Sequence, residues 1–250
     1  MPGAQIPPSS GGGTARKVIG GLLGVFGVLG MLGGGALAAH AYSNSQQSIP
    51  NSAYGPTLWR NETTERLFPA TVGEPSNMHD ASDKKVAQWS RMGISQETSC
   101  SKALSGKTEQ TAERLGCEAV LRATYVDLTG EMLATVAIIV VPEGTASQEM
   151  GEYFDSQEHA DVPDAAVVPF AVPGTLAAKW QGNRRNGMGG EALGGYAVAV
   201  TTGAVNGRTS GNLPGEFGDY GANDEDRKPW MDTANALSKT FYIHLGNLER

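Results

Sequence analysis

The sequence predicts an α+β domain in two layers, a mostly antiparallel sheet with helices on one face. Two observations lead to this prediction. Neighbouring segments near the centre of the chain have the residue pattern of paired strands, and segments with helical periodicity flank them. The elements follow in the order helix, strand, strand, helix, strand, helix, which is typical of antiparallel sheets that pack against helices.

An apolar stretch near the start of the chain predicts a transmembrane helix. Residues 18–39 carry no charge, and as a helix they would extend about 33 Å, close to the roughly 30 Å of a bilayer's hydrocarbon core. Arg16 and Lys17 precede the stretch, and the next basic residue is Arg60. The positive-inside rule therefore predicts residues 1–17 as a disordered cytoplasmic tail and a single-pass protein of the plasma membrane with its C-terminal part outside.

A cleaved signal peptide is the alternative interpretation of this stretch. Residues 36–38 and 39–41 both have the small-x-small form of a signal peptidase site, whereas the apolar run is longer than the usual 7–15 residues. Cleavage would make the protein secreted. Both interpretations place residues 42–250 outside the cytoplasm.

The apolar stretch also predicts a packing face. Gly20, Gly24, Gly27 and Gly34 fall on one side of a helix, opposite bulky side chains. Small residues at such spacing let two membrane helices approach closely, which predicts a membrane-helix partner or a homodimer. The alternative is that the glycines reflect composition alone.

After the apolar stretch, residues 40–62 are predicted to be a polar linker and residues 63–250 an extracytoplasmic domain. All 26 acidic residues and all but two of the 19 basic residues follow the stretch, so the net charge there is −9. This acidic balance argues against nucleic acid as a partner.

The elements of the domain are predicted in chain order from local patterns. TTERLFP is one helical turn, residues 108–115 form a helix ended by Gly116, and EAVLRATYVD alternates as a strand. DLTGE is a turn, and the apolar run MLATVAIIVVP predicts a central strand buried on both faces that pairs with the preceding one.

Two further helices and one strand follow. Residues 145–148 match a capping box that opens a helix with the apolar stripe Met150, Tyr153 and Phe154. AAVVPFAVPG is an edge strand or loop, and YAVAVTTGAVNGR is a strand that ends in a turn. The last helix is predicted to begin at Pro229 and to end at Gly246. Its apolar stripe consists of Trp230, Ala234, Leu237, Phe241 and Leu245.

The two cysteines predict a disulfide. Cys100 and Cys117 both lie in the exported part, where disulfides persist. An unbroken helix between them would hold the sulfur atoms too far apart, but Ser105 and Gly106 provide a break. Two free buried thiols are the alternative.

The stretches ETSCSKALSG, LGCEAVLRATYVD and GGYAVAVTTGAVNGR, within about residues 90–210, belong to a layout that resembles single-span or secreted envelope proteins of actinobacteria. That layout is a short basic tail, a span rich in glycine and alanine, and an α+β domain with two cysteines. The resemblance implies an envelope location and no particular activity.

The search for chemistry finds no catalytic motif. No serine lies in a G-x-S-x-G elbow, and no two of the four histidines have ligand spacing. We therefore expect no cofactor and no metal. The carboxylates of the acidic loop 219–226 are of the type that binds calcium, but the loop lacks the residue order of a calcium loop. Calcium binding there is left open.

One basic cluster is a candidate for anion or partner recognition. Its members are Lys179, Trp180, Arg184 and Arg185. A solvated hairpin loop is the alternative.

Together these patterns predict a non-enzymatic binding or accessory component of the cell envelope, whose partner is an envelope protein or ligand that the sequence does not identify. The alternatives are an extracytoplasmic sensor domain that acts through a membrane partner, and a secreted protein or exported enzyme.

Overall fold

The computed structural model of the protein describes residues 54–158, 166–182, 185, 187–207 and 224–249. The described residues all fall within 50–250 and form one compact unit. Its centre is a six-stranded sheet in the order β1-β2-β3-β4-β6-β5, and every neighbouring pair is antiparallel. The predicted α+β class with an antiparallel sheet is therefore confirmed. The strands are β1 Thr71–Val72, β2 Trp89–Ile94, β3 Ala119–Asp127, β4 Met132–Val140, β5 Gly187–Leu193 and β6 Tyr196–Ala204.

Six α-helices accompany the sheet in the described residues. They are α1 Leu58–Asn61, α2 Thr64–Leu67, α3 Cys100–Ala103, α4 Gly106–Arg114, α5 Thr145–Glu158 and α6 Asp224–Leu248. None of the helices in the described residues is both long and apolar enough to cross a bilayer. The predicted membrane span at residues 18–39 lies outside the described part of the chain.

The helices pack on both faces of the sheet, so the prediction of two layers with helices on one face is wrong. One face packs against α6, α1 and α2, and the other packs against α3, α4 and α5. The reason is visible in β4, whose side chains are buried in both directions from Leu133 to Val140. A strand that is apolar on both sides needs a layer of helices on each side.

The first face carries the larger aromatic core. Phe241 of α6 is fully buried and contacts the rings of Phe68 and Tyr125, with centroids 6.1 and 5.6 Å apart. Leu58 of α1 is also fully buried there. The domain therefore includes residues 54–62, which the sequence assigned to the linker.

The second face is crossed by residues 166–180, which we call the strap and which include a 3-10 helix at Leu176–Lys179. The strap is fastened by buried hydroxyl groups of the sheet. Thr124 Oγ1 donates to the carbonyl of Phe170 at 2.6 Å, and Thr135 Oγ1 accepts from the Phe170 amide at 3.1 Å. Thr135 Oγ1 also accepts from Trp180 Nε1 at 2.8 Å. These bonds satisfy polar groups that burial would otherwise penalise.

The central hairpin forms as the sequence predicts. β3 and β4 pair directly from Ala119↔Val140 to Val126↔Leu133. Gly130 in the connecting turn has a φ of 73°, a conformation that glycine adopts without steric cost.

The ends of two helices differ in detail from the prediction. Helix α4 begins at Gly106 and is followed by Gly116 with a φ of 84°, as the predicted C-terminal stop requires. Helix α6 contains Pro229 within its length and continues through Gly246 to Leu248. Pro229 is the sixth residue of α6, beyond the first amides that lack helical partners, so it removes one i→i−4 hydrogen bond from the helix.

Strand β5 is an element that the sequence did not reveal. It begins with GMGG, and glycine has low strand propensity. The glycines are needed because helices lie directly against the strand. An added Cβ at Gly187 would lie 2.4 Å from the carbonyl carbon of Trp230, and at Gly189 it would lie 2.6 Å from that of Ala234.

We expect Gly189→Ala to lower the free energy of unfolding by about 1–3 kcal/mol, because the new methyl group must displace the backbone of α6. The control is Gly151→Ala in α5, where the nearest atom would be at an ordinary 3.5 Å. There the helical preference of alanine should raise stability by about 0.5–1 kcal/mol. Urea unfolding of both variants measures the difference, and equal effects would contradict the close packing of α6 on β5.

Candidate functional site

A cleft in the described part of the chain has a volume of about 650 Å³. It lies beside α6, between that helix, the loop after β1, the start of β2 and the β3–β4 turn. The lining residues are Gly73, Glu74, Pro75, Gln88, Trp89, Asp127, Leu128, Thr129, Met132, Asp232, Thr233, Ala236, Leu237, Lys239, Thr240 and Ile243.

The floor of the cleft is apolar and is fixed by the core. Trp89 and Leu237 are buried side chains of the first-face core, and Met132 packs against it. Leu128 at the tip of the β3–β4 turn is 69% exposed beside the opening. An apolar floor of this kind favours ligands that have an apolar part.

The rim of the cleft carries more negative than positive charge. Glu74 and Asp232 are exposed carboxylates, Asp127 is a partly buried one, and Lys239 is the cation of the lining set. Two threonines near the rim, Thr233 and Thr240, donate their hydroxyl hydrogens to backbone carbonyls of α6. This balance favours a positively charged group at the rim.

Asp127 has a structural role in the turn that forms one wall. Its Oδ1 accepts from the amides of Glu131 and Met132, each at 2.9 Å, and its Oδ2 accepts from the hydroxyl of Thr129. Partial burial disfavours the charged carboxylate, but these hydrogen bonds outweigh it and hold the pKa of Asp127 below its ordinary value. The carboxylate is therefore charged at neutral pH and fixed in place.

A second cavity of about 290 Å³ lies at the other end of α6, beside His244. The His244 ring is buried against Phe241, and its Nε2 donates to the carbonyl of Arg66 at 2.7 Å. Burial lowers the pKa of His244, although the bond to Arg66 acts in the opposite direction. The ring is thus neutral at pH 7 and joins α6 to α2, which is the core role that its position beside the apolar stripe suggests.

The spacing Ser99-x-x-Lys102 at the start of α3, which serine hydrolases of one class use, was missed among the sequence motifs above. In those enzymes the lysine lies next to the serine hydroxyl. Here Lys102 Nζ donates to Glu97 at 3.0 Å, and Ser99 Oγ lies 3.2 Å from the Ser101 hydroxyl. Lys102 Nζ is thus paired with the Glu97 carboxylate, and the Ser99 hydroxyl is paired with that of Ser101.

Of the described members of the basic cluster, Trp180 does not lie on an exposed surface. Trp180 is buried on the second face and bonded to Thr135. Arg185 donates to the carbonyl of Gly182 and to the hydroxyl of Ser105, both at 2.8 Å. Lys179 is exposed, and Arg184 lies outside the described residues. Trp180 therefore holds the strap against the sheet, and Arg185 holds the loop before β5 through its hydrogen bonds.

The predicted disulfide is confirmed. Cys100 and Cys117 are bonded, with their Cα atoms 6.4 Å apart. The bridge joins the first residue of α3 to the segment just before β3, because α3 ends at Ala103 and a new helix starts at Gly106. This is the break that the geometry of a bridge requires.

Two predicted sites fall on residues that the structure does not describe. The glycine face Gly20, Gly24, Gly27 and Gly34 lies there, as does most of the acidic loop 219–226, of which the backbone of residues 224–226 forms the start of α6. Within the described ranges, no group of three or more histidine, cysteine, aspartate or glutamate side chains is arranged to hold a metal ion.

The fold and the cleft together define an antiparallel α+β domain with helices on both faces and an acidic cleft beside its last helix. Comparison with protein-family models, with curated proteins and with solved structures finds no match for this chain. The site must therefore be interpreted from its own residues.

Proposed function

We propose that the chain is a non-enzymatic binding protein of the cell envelope, anchored in the plasma membrane by residues 18–39 with its domain outside the cytoplasm. Its site is the cleft beside α6, and its ligand carries a positive charge next to an apolar group. The uncharged span with Arg16 and Lys17 before it supports the anchor and the orientation. The acidic rim above an apolar floor supports the ligand class.

The observation that carries the proposal is the depth at which the lining groups lie in the cleft. Trp89 and Leu237 lie at the bottom, where they are buried, whereas Glu74 and Asp232 are exposed at the rim. Burial of an apolar group of the ligand against the floor favours binding by roughly 25 cal/mol per Å² of apolar surface removed from water. An amine at the other end of the same molecule then meets the rim carboxylates.

We expect phenethylamine, an aromatic ring with one amine, to bind the full chain in detergent. Replacing either Glu74→Gln or Asp232→Asn should weaken binding about threefold, the size expected for one exposed charge pair. Isothermal titration of the full chain and the variants measures this. 2-Phenylethanol, which has the same ring and chain length without the charge, is the matched ligand control and should bind more weakly than the amine.

The control variant is Glu113→Gln, which removes an exposed carboxylate on α4, away from the cleft. It should leave binding unchanged. If phenethylamine and 2-phenylethanol bind equally, or if Glu113→Gln weakens binding as much as Asp232→Asn, the cleft does not select a cationic ligand and the proposal fails.

A further inference from the structure

The outer edge of β5 is an unpaired strand edge in the part of the chain that the structure describes. β5 is the last strand of the sheet and pairs with β6 alone. The amide of Val141 donates to the carbonyl of Gly195 at 3.0 Å. In an antiparallel ladder, hydrogen-bonded residue pairs alternate with pairs that are not hydrogen-bonded. The neighbouring pair of Val140 and Tyr196 is therefore not bonded, and the amide and carbonyl of Tyr196 point away from β4 and towards β5.

The register then decides which backbone groups face outward. Tyr196 is opposite Leu193 across a two-residue turn, so these two residues exchange hydrogen bonds. The pattern alternates along the strand. The amide and carbonyl groups of Met188, Gly190 and Ala192 therefore point to the open side, and none of them has a backbone partner within the described residues.

A groove of about 360 Å³ runs along this edge. Strand residues Met188 to Glu191 form its base, Asp155 and Gln157 of α5 form one wall, and Asn235 and Lys239 of α6 form the other. An exposed strand edge with walls on both sides is a template for a further strand.

The two helices lie over β5 itself. An added Cβ at Gly189 would lie 2.6 Å from the backbone of α6, and at Gly190 it would lie 2.4 Å from the ring of Phe154 in α5. The glycines thus bring both helical layers onto the last strand of the sheet, so that the walls of the groove rise directly from its base.

This geometry excludes a second copy of the chain as the added strand. Two paired β5 strands would lie about 4.8 Å apart. Each copy would bring its own α5 and α6 over its own β5, and packed helices need about 8–10 Å between their axes. A polypeptide segment without packed layers meets no such obstacle.

We propose that the edge of β5 binds an extended segment of a partner protein as a seventh strand, between α5 and α6. Successive side chains of the segment face opposite walls. Asp155 favours a basic side chain on the α5 side, and Lys239 favours an acidic one on the α6 side. This site is separate from the ligand cleft, although Lys239 borders both.

Hydrogen exchange on the full chain tests the open edge. The outward amides of Met188, Gly190 and Ala192 exchange fast, and those of the inward residues Gly189 and Glu191 exchange at least about tenfold more slowly, because they are bonded to β6. Slow exchange at all five positions in the isolated chain would mean that another part of the same chain covers the edge, which would overturn the proposal.

Binding is tested with a probe peptide of the stated chemistry. The peptide Thr-Ser-Lys-Glu-Thr-Ser-Thr, blocked at both ends, places its lysine and its glutamate on opposite faces of a strand. It slows exchange at the three outward amides, and a version with N-methyl groups on alternate amides does not. No change in exchange with millimolar peptide would overturn the proposal.

A charge reversal distinguishes peptide binding in this groove from ligand binding in the cleft. Asp155→Lys lies in the groove alone and should weaken the peptide about fivefold, with phenethylamine binding unchanged. Glu113→Lys on α4 is the matched reversal and leaves both unchanged. Equal peptide affinity for Asp155→Lys and the unaltered chain would overturn the placement of the segment between the helices.

Discussion

Replacing Phe241 by alanine is expected to lower the free energy of unfolding by about 3–5 kcal/mol, the cost of removing a fully buried aromatic side chain. Phe241 lies where α6 meets the sheet and α2, in contact with Phe68, Tyr125 and His244. These neighbours belong to three different elements, so they cannot all move into the space that the ring leaves. Denaturant unfolding followed by far-ultraviolet circular dichroism measures the change.

Two controls show whether the loss comes from the cavity. Phe241→Leu keeps most of the buried volume and should cost less than about 1.5 kcal/mol. Tyr242→Ala removes the neighbouring aromatic side chain, which is only half-buried, and should also cost less than Phe241→Ala. If Tyr242→Ala is as destabilising as Phe241→Ala, the packing of α6 against the sheet is different from the one described.

The disulfide gives the second large effect. The double variant Cys100→Ala and Cys117→Ala should be less stable by about 3 kcal/mol. The two cysteines are 17 positions apart, and the bridge between them restricts the unfolded chain by closing a loop of that length. The same measurement on the unaltered chain with a reductant should give a similar loss.

The double variant itself is the control for the reductant. A reductant should not destabilise it further, since it contains no other cysteine. An unaltered chain whose midpoint of unfolding is the same with and without reductant would show that the bridge contributes no stability.

The sequence predicted those elements whose pattern is local. β3 alternates, β4 is an unbroken apolar run and α4 is followed by a glycine, and all three lie close to their predicted positions. Alternation and capping depend on residues within one turn or one strand, so they are visible without the rest of the fold.

The elements that the sequence missed are held by their neighbours instead. β2 has the mixed composition WSRMGI and a register shift between Arg91 and Gly93, and pairing with β3 keeps it extended. β5 consists largely of glycine at its start because α5 and α6 lie against it. In both strands, tertiary contact outweighs a weak intrinsic preference.

The candidate site could not be predicted for a related reason. Its lining comes from four separate stretches of chain, near residues 74, 89, 128 and 236. None of these has a motif, since an apolar floor and an acidic rim need no fixed spacing. The basic cluster was visible because its members are neighbours in the sequence, yet Trp180 is buried and Arg185 bonds to Ser105.

The strand order has a consequence for how the chain is made. β6 lies between β4 and β5, so β4 lacks its second neighbour until β6 exists, and Ala204 follows Val140 by 64 positions. At a synthesis rate of about 5–20 residues per second, this delay lasts roughly 3–13 s. During that interval the most apolar of the described strands forms an open edge on a growing chain, and open apolar edges are where nascent chains join one another. The order of the strands thus makes the yield of folded protein depend on keeping unfinished copies apart.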